Sequence, residues 1–357
     1  MKKVFKFPSI ESFSSIVKNV REKAKFVGLD DEGKAIFDET LRAPVYEFHG
    51  TVKIHGTNSS ICYNEKHGLW VQSRTNIITP LSDNAGFAGY VEANKEAFME
   101  LIKDYVSKNN LDVSENTICI YGEWCGGSIQ KGVAVNKLSK MFVIFGIKLM
   151  QETDEIDPET GEVLLKGSWL NHVGVKNESI RCYNIEDFPT FKVVVDFENP
   201  KLSKNEIVDL TIQVEEKCPV GLKFGVEGIG EGIVFSCTLD DGSVIRFKSK
   251  GEKHSKTKVK VLKEVDNELE ALKQGLALEL TPDWRVDQAI QEVFNTLNNG
   301  VVDVKGLGDV IKWVLADIVK EEIHKLAEAK IELKQLSSYI SANVKKRFFV
   351  VLKENLV

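Results

Sequence analysis

From residue 45 to about residue 250 the chain runs in short alternations of apolar and polar residues: VYEFHGTVKI, NSSICYN, LWVQSR, TICIYGEW, KMFVIFGIKL, FKVVVDF, EGIVFSC and SVIRFKSK. Each has the length and the β-branched or aromatic content of a strand. Gly, Asn-Glu and Asp-Asp-Gly turns punctuate them, and Asp240-Asp241-Gly242 predicts a hairpin between IVFSCTL and SVIRFKSK. YVEANKEAFMELIKDYVSKN (90–109) spaces its apolar residues as a helix does. Antiparallel sheets with segregated helices predict an α+β fold. Beyond residue 262 the period lengthens. VDNELEALKQGLALEL, DWRVDQAIQEVFNTLNN, LGDVIKWVLADIVKEEIHKLAEAK and ELKQLSSYISANVKKRFFVVLKENL all repeat at helical spacing, and Thr281-Pro282 predicts a helix start. The expectation is two domains, 1–262 with the sheets and 263–357 as a small helical bundle.

One alternation breaks its own pattern. EFHGTVKIHGTNSSICYN (47–64) places Lys53, His55, Gly56 and Asn58 within six positions of a strand-like run. An isolated lysine on an exposed strand face is a solvated charge. Here a glycine that lets backbone approach a ligand closely and two hydrogen-bonding side chains follow it. A lysine amine, with a reference pKa of about 10.4, becomes a nucleophile when desolvation or neighbouring cations depress it. The combination suits covalent chemistry on a phosphate.

The chain has 357 residues, 43% of them hydrophobic, enough for one large core and a smaller one. No apolar run approaches the roughly 18 residues of a membrane span, and MKKVFKFPSIESF has a basic start without an apolar signal core. A soluble protein of the cytoplasm, or of a host's cytoplasm if the source is viral, is expected. Cysteines 62, 119, 125, 182, 218 and 237 contain no C-x-x-C pair and fall mostly in apolar segments, as reduced core thiols do. A net charge of −6 excludes a polyelectrolyte clamp for nucleic acid. The charge is uneven, though: from Arg246 to Lys263 there are eight Lys or Arg against Glu252 alone, while QETDEIDPETGE (151–162) holds six acids, read as a solvated turn. GVEGIGEGIVF (225–235) lacks the spacing of a dinucleotide fingerprint, and no Walker lysine motif occurs.

The polar residues inside the strands resemble, in order, the motifs of one family. KIHGTN (53–58) is similar to the K-x-H-G signature of the RNA ligase 2 family, the phage-type RNA-repair branch of the covalent nucleotidyltransferases. SRTN (73–76) resembles its second motif, YGEWCGGSIQKGV (121–133) the third, and FVIFGIK (142–148) the aromatic strand that follows. EGIVF (231–235) resembles the fourth motif, RFKSKGEKHSK (246–256) the K-x-K fifth, and FKFPSIESF the family's start. The motifs cover roughly residues 1–255; the helical tail matches in type and position only.

The resemblance implies an ATP-dependent RNA ligase, with a nucleotidyltransferase domain of ATP-grasp-like antiparallel sheets and a small all-α domain that grips RNA. Lys53 would attack the α-phosphorus of ATP, the adenylate would pass to an RNA 5′-phosphate, and a 3′-hydroxyl would displace AMP and seal the strand. Each displacement gathers negative charge, which calls for cations and positioned donors. Lys248 and Lys250, two apart on a strand and so on one face, are implied to meet the α-phosphate beside Lys53. His55 is implied to support attack, Asn58 to contact phosphate or the RNA end, Arg74 the ribose and the RNA end, and Phe142, in preference to Phe145, to stack on adenine. Glu123 is implied to bind the ribose hydroxyls and, with Glu231, magnesium, for which manganese can substitute.

The resemblance also implies RNA ends as partners, at nicks in duplex RNA or RNA–DNA hybrid, no membrane, and a monomer. Two positions depart from the pattern: Val52 stands where some members carry an acidic residue that helps read adenine, and Ser236 where a lysine is found. The alternatives are a DNA ligase or capping-type enzyme, which typically shows K-x-D-G and an OB-fold after the fifth motif, and a non-catalytic RNA-end-binding module.

Overall fold

The computed structural model describes residues 2–29, 33–83, 85–156, 163–252, 266–297 and 302–354. The half of the acidic stretch at 157–162, the basic strip from Lys253 onward and the expected domain junction at 262/263 lie outside the described residues.

The described strands, in chain order, are β1 (Glu11–Ser12), β2 (Phe26–Leu29), β3 (Ala35–Phe37), β4 (Val45–Lys53), β5 (Thr57–Asn64), β6 (Gly68–Ser73) and β7 (Ile77–Ile78). They continue with β8 (Thr117–Cys125), β9 (Met141–Ile156), β10 (Val163–Leu170), β11 (Cys182–Asn184), β12 (Thr190–Asp196), β13 (Gly232–Thr238) and β14 (Val244–Lys250). The chain divides into two compact units: Met1–Ile16, Glu47–Val194 and Glu206–Leu262 form one, and Val17–Tyr46, Val195–Asn205 and Lys263–Val357 the other.

Two sheets build the first unit. One has the order β1-β14-β13-β4-β12, the other β10-β9-β8-β5-β6-β7 with β11 beside β9. The fold is α+β. The β13–β14 hairpin turns where the Asp-Asp-Gly signal stands, with Gly242 at φ 77°. Most of the pairings are antiparallel, but β1 joins β14 and β11 joins β9 in parallel.

Period-2 patterning explains the first sheet. Phe48, Val52, Ile233, Phe235 and Phe247 are buried on one face, and Phe235 stacks on Phe247 with ring centres 4.9 Å apart. The opposite face carries His49, Thr51, Lys53, Ser236, Arg246, Lys248 and Lys250. In the second sheet, Ile118, Ile120, Trp124, Phe142 and Ile144 form a core with Phe98 and Ile102 from the helix Lys95–Lys108 and Phe87 from the helix Phe87–Ala93. The single helix expected over 90–109 is thus two, joined at Asn94. The other face of that sheet holds Cys62, Trp70, Cys119 and Tyr121 with Phe5, and Phe7, Phe145 and Trp169 pack against them.

In the second unit, helices Asn267–Leu280, Asp283–Leu297, Leu307–Glu321 and Leu333–Glu354 bury Leu280, Ile290, Val314, Ile318, Leu336, Ile340 and Phe348. The second of these starts directly after Thr281-Pro282. Ile36 packs against this core, and Lys353 pairs with Asp38 and Lys201 with Glu270. Residues far upstream of 263 therefore belong to the helical unit. Arg285, 3% exposed, is satisfied by Asp317 at 2.9 Å, Glu322 at 3.0 Å and the Leu280 carbonyl at 2.7 Å. All six cysteines are free thiols, and five are buried. Among the described residues no helix is long and apolar enough to cross a membrane.

Candidate active site

The polar face of the first sheet is ruled into rows by strand register. Lys53, Gly232 and Lys250 lie side by side; Thr51, Val234 and Lys248 form the next row, and His49, Ser236 and Arg246 the third. Directly paired residues project to the same side, so three lysines emerge from neighbouring points of one surface. This surface walls a cleft of about 510 Å³.

At the first row the missing side chain of Gly232 separates the two lysines, and Glu231 fills the gap. Lys53 Nζ lies 2.8 Å from Glu231 Oε2 and Lys250 Nζ 2.6 Å from Oε1. His55 Nδ1 is 3.2 Å from Oε2. The carboxylate is 2% exposed. Burial pushes its pKa up, but the hydrogen bond from His55, the charge of Lys53 and the bond from Lys250 outweigh it, holding the group well below the usual carboxylate range. Lys248 is shifted down, first by burial and then by the charges of Lys250, Lys53 and Arg74. The cations are therefore close enough to feel one another.

Gly56 answers the broken pattern after Lys53. A Cβ there would stand 2.5 Å from the Trp124 carbonyl and 2.8 Å from the Cys125 Cβ, so only glycine lets this segment lie against β8. The close approach lets the Gly56 N–H donate to Glu123 Oε1 at 3.0 Å. Glu123 pairs with Asn58 in the β5–β8 ladder, and both line the cleft. Burial pushes the Glu123 carboxyl up to about 7, against the opposing pull of Lys53 and the Gly56 N–H. Arg74 also lines the cleft and donates to Ser9 Oγ at 3.2 Å.

One expectation is corrected. Phe142 is fully buried and does not line the cleft: its ring lies under Gly122, whose added Cβ would meet it at 2.5 Å, and against Phe87 with ring centres 4.9 Å apart. Phe145 lines the cleft instead. Strand alternation is the reason, since residues three apart on β9 project to opposite faces; Phe145 is also the extra residue of a β-bulge, because Tyr121 pairs with Gly146 and Gly122 with Ile144. Phe142 and Ile144 precede the bulge and point into the helix-covered core, while Phe145 turns toward Phe7, 5.0 Å away between ring centres.

Lys53, Asn58, Arg74, Glu123, Lys248 and Lys250 line one cleft, with Glu231 and His55 bonded at its edge. The cleft holds further residues that the motif reading passed over: Phe7, Ser9, His172, Glu186, Val234 and Arg246. Arg246 was legible, because it shares strand parity with Lys248 and Lys250. Its guanidinium sits 4.0 Å from the centre of the Trp169 ring, and burial lowers its pKa to about 10. His172 and Glu186 stand in a loop and a short turn with no periodic signal.

A family profile described as RNA ligase matches residues 46–250. A search of curated protein sequences returned no match. Among solved structures, Naegleria gruberi RNA ligase with PPi is similar at 15% identity and a TM-score of 0.41, covering 71% of this chain and 57% of that one. A mutant of that ligase with ATP and Mn gives 16% identity and a TM-score of 0.41, covering 71% of this chain and 57% of that one. A mutant with AMP and Mn gives 15% and 0.40, covering 70% and 57%. The chain thus spans less than two thirds of the length of the ligase it is compared with. The family profile takes in more than half of the chain, including all of the second sheet and the first sheet apart from β1, and the chain belongs to the RNA ligase family.

Proposed function

We propose that the chain is an ATP-dependent RNA ligase that joins 3′-hydroxyl and 5′-phosphate RNA ends through lysyl-AMP and RNA-adenylate intermediates. The observation that carries this reading is the convergence of Lys53 and Lys250 on Glu231, with Lys248 one row away. It is a nucleophile surrounded by cations on a rigid sheet.

In the first step the Lys53 Nζ lone pair forms a bond to the α-phosphorus, the bond from that phosphorus to the bridging oxygen breaks, and pyrophosphate leaves. The amine proton departs to water. Glu231, held well below the ordinary carboxylate range, is too weak a base to take it, so its part is to orient Nζ. Lys248, Lys250 and Arg74 compensate the charge that grows on the phosphoryl oxygens. In the second step an RNA 5′-phosphate oxygen replaces Nζ on the same phosphorus. In the third a 3′-hydroxyl oxygen attacks the RNA 5′-phosphorus and AMP leaves. Phe145 and Val234 flank the adenine, a role moved here from Phe142.

Hard oxygen donors in the cleft suit magnesium or manganese. Glu123 and Glu231 would hold the ion, Glu231 through Oε1, which keeps a lone pair beyond its bond to Lys250, whereas Oε2 is taken by Lys53 and His55. Such an ion would complete its shell with waters and phosphate oxygens beside these one or two carboxylates. The bound ion supplies charge neutralisation at the phosphates. The helical unit is assigned the grip on RNA.

The test is to offer ATP and magnesium with nicked RNA duplexes, RNA–DNA hybrids and single strands side by side. Sealing of RNA nicks supports the reading. Sealing of DNA nicks alone, or labelling from GTP in place of ATP, points to a sister enzyme class.

A further inference from the structure

Two residues line the cleft and enter none of the steps above, His172 and Glu186, and a third, His49, is bonded to Glu186. His49 lies four residues before Lys53 on the same face of β4, about 13 Å along the strand. Its Nε2 is 2.9 Å from Glu186 Oε2. His172 Nε2 lies 3.8 Å from Glu186 Oε1 and is a buried ring nitrogen with no hydrogen bond. The place is built. Asn184, fully buried, donates to the His172 carbonyl at 2.6 Å and to the Val175 carbonyl at 3.1 Å, and accepts the Glu186 N–H at 3.0 Å. One amide therefore fixes the carboxylate and the histidine relative to each other.

We infer that Glu186, with His172 beside it, reads the hydrogen-bonding edge of the nucleotide base. The inference rests on the cleft being the ATP site. A nucleotide whose α-phosphorus meets Lys53 in the first row reaches past Thr51 and Val234 in the second, and its base ends at the third row, where His49 holds Glu186. Position 52 carries no acid to do this, and Val52 points into the core at 3% exposure. A carboxylate only accepts hydrogen bonds and so matches the amino group at C6 of adenine. Burial lowers the His172 pKa, and a neutral imidazole donates from one nitrogen, which matches adenine N1 as acceptor. Guanine in the same pose sets its oxygen against the carboxylate and its N1–H against the imidazole N–H. Two partly buried groups would then face like against like.

The experiment compares covalent labelling of the full chain, with magnesium, by ATP, by GTP and by purine riboside 5′-triphosphate, which lacks the amino group. The unmodified protein should use ATP roughly 10- to 100-fold more efficiently than purine riboside triphosphate, the value of one hydrogen bond to a charged group. Glu186→Ala should bring that ratio toward one. Should this variant fail to fold, Glu186→Gln replaces it, and its ratio must fall several-fold. Equal use of ATP and purine riboside triphosphate, or of ATP and GTP, by the unmodified protein overturns the inference, as does a Glu186 variant that keeps the full ratio. No labelling by any nucleotide overturns instead the adenylylation reading beneath it.

Discussion

Lys53 and Lys250 sit on either side of Gly232 in one row of the sheet, and their amines end on opposite oxygens of the same carboxylate, Glu231. Glu231 therefore fixes where the nucleophile and its neighbouring cation stand. Glu231→Gln leaves the shape and removes the charge. It should slow Lys53 adenylylation at least about 100-fold, as misplacement of a reacting group does, and lower the unfolding free energy by about 1–3 kcal/mol. Labelling rates and urea unfolding measure the two effects. A variant that labels at the native rate would show that Glu231 is a structural counter-ion only.

Phe142 and Phe145 give opposite outcomes. Phe142→Ala empties a fully buried site and should cost about 3–5 kcal/mol of stability. Phe145→Ala should leave the fold close to intact and raise the KM for ATP roughly 5- to 100-fold, the value of stacking on one base. Denaturant melts and ATP titration of the labelling rate separate them. A large KM effect from Phe142→Ala in a fully stable protein would restore the pattern-based assignment.

How far the sequence could be read follows from this pair. Residues whose roles come from strand parity were legible: Lys248 and Lys250 share a face as their spacing requires, and Gly56 meets β8 as a glycine after a strand suggests. Phe142 was misassigned because parity only says that it and Phe145, three apart, lie on opposite faces; which of the two faces meets the cleft is decided by the helices Phe87–Ala93 and Lys95–Lys108, whose Phe87, Phe98 and Ile102 share one core with Phe142. Glu186 and His172 escaped because their loop is organised by Asn184, a contact between residues with no repeating pattern. The composition of the helical unit was equally hidden. Residues 17–46 and 195–205 join it through contacts such as Lys201 with Glu270 and Lys353 with Asp38, far apart in the chain.

Glu123 sets a pH dependence. Its folded-state value near 7 lies above the ordinary 4.5, so between those values the folded protein holds more protons than the unfolded one. Its contribution to stability is complete below pH 4.5 and is lost as pH rises through about 7. Labelling should run the other way, rising through pH 7 as the carboxylate that binds ribose and metal forms. Glu123→Gln should flatten both profiles and hold labelling low. Melting and labelling series from pH 5 to 8, taken on both proteins, test this; parallel profiles would remove Glu123 from the mechanism.

The central claim is that one amine carries the adenylate. Incubation of the full chain with α-labelled ATP and magnesium, followed by acid quench and peptide mapping, tests it directly. The account predicts a single AMP adduct on Lys53, released by pyrophosphate and absent from Lys53→Ala. An adduct on another residue, or full RNA joining from ATP by Lys53→Ala, would contradict it.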